Sequence, residues 1–173
     1  MTRTKTRTDF FAACTTLEDL KRTYHALALQ HHPDRGGDLE TMQAINTAYD
    51  LSFPRLKDIH RAASGKTYAK ATTEAPEEYR DLIDRLIKLQ GIKIEIIGCF
   101  MWVSGDTKPH KDTLKTLGLR WHATKAVWYK SPPGYRRSTK KDLTLDQIRA
   151  RFDHATITAD DQAKAPRPSA ITA

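Results

Sequence analysis

One proline-anchored turn, set between two apolar stripes of helical period, constrains this 173-residue chain more than any other feature. Leu17, Leu20, Tyr24, Leu27 and His31 recur at three- and four-residue spacing, which puts them on one face of a helix running to about His31. Lys21, Arg22 and His25 fall elsewhere on the cylinder. Thr15-Thr16-Leu17-Glu18 has the form of a capping box at the helix start. Pro33 stops the helix, because the residue before a proline is pushed out of the helical region. Gly36-Gly37 permits a sharp turn and Asp38 caps a second helix, whose stripe is Leu39, Met42, Ile45, Tyr49 and Leu51. Two antiparallel amphipathic helices joined by so short a loop bury their stripes on each other. Phe10 and Phe11 add an apolar cap, and Pro54 ends or kinks the second helix.

The remainder reads as a separate small unit. Residues 63–76, with Ser64-Gly65 and Ala71-Thr72-Thr73-Glu74-Ala75-Pro76, look like a linker between a first domain at 1–62 and a second at 77–155. Residues 77–90 carry a strong helical stripe of Tyr79, Leu82, Ile83, Leu86 and Ile87. Residues 92–97 and 99–103 are strand-like and meet at Gly98, and a short helix is expected between Thr107 and Leu117. A hairpin pairs 119–121 with 126–129, so that Trp121 and Trp128 can meet across it. Thr144-Leu145-Asp146-Gln147 opens a last short helix to about Phe152, and residues 156–173 are expected to be a disordered tail. The fold class is α+β: a helical hairpin followed by a small α+β domain with an antiparallel sheet.

Charge is distributed unevenly. Residues 1–60 hold eight basic and eight acidic side chains, whereas residues 106–141 hold ten basic and two acidic, which accounts for the whole net charge of +8. A basic half of this kind points to an anionic partner such as DNA or RNA. The longest apolar run, 96–103, is too short to cross a bilayer, and no apolar stretch of signal-peptide length follows Met1. A cytoplasmic protein with no membrane association is expected. Cys14 and Cys99 have no partner at zinc-ligand spacing, and neither do His110 and His122, so no metal or other cofactor is expected.

Residues 10–52 resemble the J-domain of the DnaJ family. The resemblance rests on the helix from Leu20 to Gln30, the loop from His31 to Asp38 with His32-Pro33-Asp34 inside it, and the helix from Met42 to Tyr49. It implies a co-chaperone that does no covalent chemistry itself but stimulates ATP hydrolysis by a DnaK-type chaperone. Carried over by position, the chaperone-binding set would be Lys21, Tyr24, His25, His32, Pro33, Asp34 and Arg35. Pro33 stiffens the loop, so Asp34 can be presented to a partner arginine with little entropy loss. Two departures stand out. Many relatives carry a basic pair directly after the tyrosine, where this chain has His25 and Ala26, and their fourth helix has no clear counterpart after Pro54. An acid–base reading of His32 and Asp34 as a catalytic pair lacks a nucleophile and a third orienting group, so no enzyme is expected.

Residues 115–129 resemble a Leu-Gly-x-x-Trp element followed by Lys-x-x-Trp-Tyr found in proteins of plasmids and other mobile elements. Aromatic side chains among cations suit single-stranded nucleic acid, through base stacking and phosphate neutralisation. The residues placed to do this are Lys108, Lys111, Lys115, Arg120, Trp121, Lys125, Trp128, Lys130, Arg136 and Arg137. The competing reading makes both tryptophans core and the lysines an ordinary solvated face. The first function considered is therefore a co-chaperone whose second half chooses where the chaperone is recruited. The alternative is a nucleic-acid-binding protein of a mobile element with an accessory J-domain.

Overall fold

The computed structural model describes residues 9–62, 64–136 and 142–152, and the backbone of 154–157. The expected class holds: an N-terminal helical hairpin is followed by α-helices and antiparallel sheet. Helix α1 spans Leu17–His31 and α2 spans Leu39–Leu56, with a one-turn 3-10 helix, Pro33–Arg35, between them. The capping box of α1 is built one residue later than the sequence suggests. Thr16 Oγ1 accepts from the Asp19 amide at 3.2 Å and Asp19 Oδ2 accepts from the Thr16 amide at 3.2 Å. Glu18 is diverted: its carboxylate is buried against His60 and the Arg61 amide.

Helix α2 buries Met42, Ile45, Tyr49, Phe53 and Leu56, and Pro54 rides inside its last turn instead of ending it. There it has no amide to donate to the Asp50 carbonyl one turn earlier. Leu39 and Leu51, expected on the buried stripe, are exposed. Leu51 lies two residues, and so about 200° of helix, from Tyr49. At the turn, Gly36 adopts φ 82°, and a Cβ on Gly37 would collide with the carbonyl carbon and oxygen of His31. Glycine is sterically required at Gly37 because the chain doubles back onto the end of α1.

The segment expected to be a linker is structured in part. Strand β1, Ile59–Arg61, pairs antiparallel with β2, Thr67–Ala69. This hairpin is pinned to α1 by His60, whose Nδ1 lies 2.7 Å from Glu18 Oε1 and whose Nε2 lies 3.1 Å from the Lys70 carbonyl. With an acceptor on each side, the setting favours the protonated ring, and the hydrogen bond with Glu18 raises the pKa of His60 more than burial lowers it.

Helix α3, Pro76–Ile87, buries all five residues of its stripe. They pack on α1 and α2 in a single cluster with the inner face of the sheet, so the two halves share a core. Its centre is aromatic: Tyr24, Tyr49 and Tyr79 have ring centroids within 4.6–6.1 Å of one another. The sheet has the order β5-β6-β4-β3-β7, from Arg120–His122, Val127–Lys130, Phe100–Gly105, Ile92–Ile97 and His154–Ile157. Ile94, Ile96, Met101, Val103 and Trp128 face the shared core. The opposite face presents Ile97, Trp102 and Val127 to Leu145 and Ile148. The last two lie on α5, Leu145–Arg149, which opens with the expected Thr144–Gln147 capping box. Helix α4, Lys111–Thr116, joins β4 to β5. Strand β7 carries order to Ile157, into the segment expected to be a tail, because β3 offers it an open edge. Residues beyond Ile157 lie outside the described ones. None of the described helices is long and apolar enough to cross a membrane.

Candidate functional site

The site is the corner between α1 and α2, and its geometry follows from the tripeptide. His32 leaves the helix with φ −66° and ψ 131°, the extended conformation that Pro33 imposes on its predecessor. Its Nδ1 accepts from the Asp34 amide at 3.2 Å, which makes Nε2 the donor, and Nε2 meets Asp84 Oδ1 at 2.6 Å. The ring is buried, and it ties the corner to α3. Asp34 points outward with its side chain 55% exposed, and its Oδ2 lies 3.3 Å from Lys88 Nζ. Pro33 and Arg35 are exposed.

Asp84 and Lys88 stand one turn apart on α3 and meet each other at 3.1 Å. Each engages one member of the tripeptide, the acid taking the histidine and the base taking the aspartate. Burial pushes the Asp84 carboxyl up, but the hydrogen bonds from His32 and Lys88 outweigh it and hold the group below the usual carboxylate range. The bonds to Asp84 and then Asp34 raise the Lys88 ammonium above its ordinary value. A groove of about 320 Å³ beside the corner is lined by Pro33, Asp34, Leu39, Met42, Asp84 and Lys88 among others. Asp84 and Lys88 were not singled out by sequence reasoning. The signal present was an Asp–Lys pair at i,i+4 spacing, which ordinarily marks a solvated helix face.

The rest of the expected contact set is not on the surface. Lys21 is 4% exposed, Tyr24 is buried, and His25 is 0% exposed. Lys21 Nζ is 2.5 Å from Glu74 and 4.8 Å from the Tyr79 ring centroid, and the Tyr79 hydroxyl donates to the Lys21 carbonyl at 3.2 Å. Tyr24 donates to Asn46 Oδ1 at 2.9 Å. Neither ring nitrogen of His25 has a hydrogen-bond partner, and burial lowers its pKa to about 4. The helical wheel puts Tyr24 on the face that meets α2, where it packs on Tyr49, and Lys21 and His25 away from that face. What it missed is that α3 and the sheet form a second wall against the face of α1 that bears Lys21 and His25.

About a quarter of the chain is similar to DnaJ proteins. It is 44% identical over 46 residues to DnaJ protein homolog 2 of Allium porrum, covering 26% of this chain and 11% of that one. It is 43% identical over 44 residues to chaperone protein dnaJ 2 of Arabidopsis thaliana, covering 25% of this chain and 10% of that one. The N-terminal region is J-domain-like. The chain spans only about a tenth of the length of these relatives. No family model matches it, and no solved structure gives a significant match.

Outside the J-domain-like region, the expected nucleic-acid residues sit in unlike surroundings. Trp121 and Trp128 do pair across the β5–β6 hairpin, with centroids 5.6 Å apart. Their fates differ: Trp128 is core, whereas Trp121 on the edge strand is 48% exposed. Arg120 is exposed next to it, and Lys108, Lys111, Lys115 and Arg136 are exposed. Lys125 is turned inward, 2.5 Å from Asp142 and 3.0 Å from His122 Nε2, and Lys130 donates to the Leu117 carbonyl at 3.0 Å. These two cations already have partners, so they do not add to a free basic rim. Arg137 lies outside the described residues.

Proposed function

We propose that this chain is a co-chaperone that stimulates ATP hydrolysis by a DnaK-type chaperone and does no covalent chemistry of its own. The observation that carries the reading is the outward-facing Asp34 carboxylate on a corner fixed from within by Pro33, Gly37 and the His32–Asp84 bond. Such a corner offers a pre-set acceptor for a bidentate arginine. Engagement is confined to Pro33, Asp34, Arg35 and the neighbouring surface of α3. The face of α1 bearing Lys21, Tyr24 and His25 does not reopen. Uncovering it means withdrawing Tyr79, Leu82, Ile83, Leu86 and Ile87 from the core, and at roughly 1.5–3 kcal/mol each the total of about 10 kcal/mol rivals the stability of a whole domain. The sheet unit then serves to choose where the chaperone is recruited, in the cytoplasm. The test is single-turnover ATP hydrolysis by the host's DnaK-type protein. Acceleration by the full chain, abolished by Asp34→Asn, supports the reading; an identical effect of both proteins overturns it.

A second reading, nucleic-acid binding by a mobile-element protein, is favoured by one observation: Trp121 is half-exposed on an edge strand beside Arg120, within the segment that carries the excess charge. Binding of labelled single-stranded DNA by the full chain should then weaken steeply with salt and fall about tenfold with Trp121→Ala. It should be indifferent to Asp34→Asn. No binding at low salt removes this reading.

A further inference from the structure

Resting on the co-chaperone reading, the geometry points to Lys88 as a built-in competitor for the partner's cation: its ammonium fills the seat between Asp34 and Asp84 and must be displaced before Asp34 can act. Lys88 Nζ is 3.3 Å from Asp34 Oδ2 and 3.1 Å from Asp84 Oδ2, so one cation is shared by two carboxylates that belong to different elements. A partner's arginine that takes both oxygens of Asp34 would need Oδ2, the oxygen Lys88 holds. The seat has firm walls. Asp84 is tied to His32 at 2.6 Å, and α3 is anchored by the five buried residues of its stripe.

What can move is the lysine side chain. It is 47% exposed and sits at the C-cap of α3, where solvent receives a displaced ammonium readily. Once it leaves Asp34 it keeps Asp84, its i,i+4 neighbour, so displacement costs one exposed ion pair and no burial. The competition is therefore a weak one: it sets how much partner is needed, without forbidding engagement. The same cation also keeps Asp34 oriented across the groove, with Pro33 and Leu39 on its lining. A partner arginine succeeds where the lysine yields because a guanidinium can satisfy a carboxylate through two parallel bonds.

The experiment is a titration of the full chain into the DnaK-type ATPase assay, reading the concentration that gives half-maximal stimulation. Lys88→Ala should lower that concentration about two- to fivefold. Lys88→Arg, a stronger internal competitor, should raise it. Arg85→Ala removes an exposed cation three residues earlier on the same helix and should leave it unchanged. The inference is overturned if Lys88→Ala leaves the midpoint unchanged or raises it, or if Arg85→Ala lowers it equally, which would reduce the effect to net charge. In each of those cases stimulation that still depends on Asp34 leaves the co-chaperone reading standing. If neither wild type nor any variant stimulates, both fall together.

Discussion

Asp84 and His32 meet at 2.6 Å across 52 residues of sequence, and the contact decides which nitrogen of the ring carries the hydrogen. With Nε2 committed to Asp84, Nδ1 is left to accept the Asp34 amide, so a residue of the third helix sets the backbone of the loop between the first two. Asp84→Ala should cost about 1 kcal/mol. In ¹⁵N spectra of the ring it should also release the His32 tautomer. Asp84→Asn, which keeps an acceptor, should preserve the tautomer while losing the charge.

Acid should destabilise the fold through His25. Its folded-state pKa is about 4 because burial disfavours the imidazolium, against an ordinary value near 6.5 in the unfolded chain. The neutral ring therefore contributes nothing adverse above about pH 6.5, and stability drains away as pH falls from there toward 4, by about 3 kcal/mol in all. Denaturant unfolding measured at several pH values should show this slope, and His25→Leu, which removes the two unpartnered nitrogens, should flatten it.

His60 runs the opposite way. Its hydrogen bond to Glu18 raises the imidazole pKa more than burial lowers it, so the stabilisation is complete below the unfolded value and is lost as pH rises through the folded one. Breaking the buried pair with Glu18→Ala strands the His60 ring and the Arg61 amide and should cost about 3 kcal/mol. His60→Gln in the Glu18→Ala background should cost far less than it does alone, which a double-mutant cycle would read directly.

The shared core makes a thermodynamic statement. Ile83 is fully buried on α3 among residues of α1, α2 and the sheet, so Ile83→Ala should destabilise the whole described fold by about 2–5 kcal/mol. Far-UV circular dichroism, weighted to the helices, and tryptophan fluorescence, from Trp102, Trp121 and Trp128 in the sheet unit, should change at one midpoint. Two separate transitions would contradict a common core.

Much of this was legible in the residues. The stripes of α1 and α3, the stop at Pro33, the turn at Gly36-Gly37, the Trp121–Trp128 hairpin and the Thr144 capping box are all local signals, set by periodicity, proline and short-range hydrogen bonds. What stayed hidden is tertiary. A helical wheel says which residues can share a face, but not that α1 has two buried faces, and so Lys21 and His25 read as surface. Likewise Glu18 looks like the third residue of a capping box until His60 arrives from 42 positions away. The charge excess of residues 106–141 is real, yet Lys125 and Lys130 are spoken for by Asp142 and the Leu117 carbonyl, contacts that no composition reveals.

In the co-chaperone reading proposed above, a partner chaperone engages the exposed corner while the face of α1 that bears Lys21 and His25 stays inside. The direct measurement is amide and side-chain NMR of the isotope-labelled full chain titrated with the ATP-bound DnaK-type protein. Selective changes at Pro33-Asp34-Arg35, Asp84 and Lys88, with Tyr24, His25 and Tyr79 still packed, are the expected result. Changes centred on Lys21, Tyr24 and His25 with release of α3, or no changes at the corner at all, would contradict engagement at the corner.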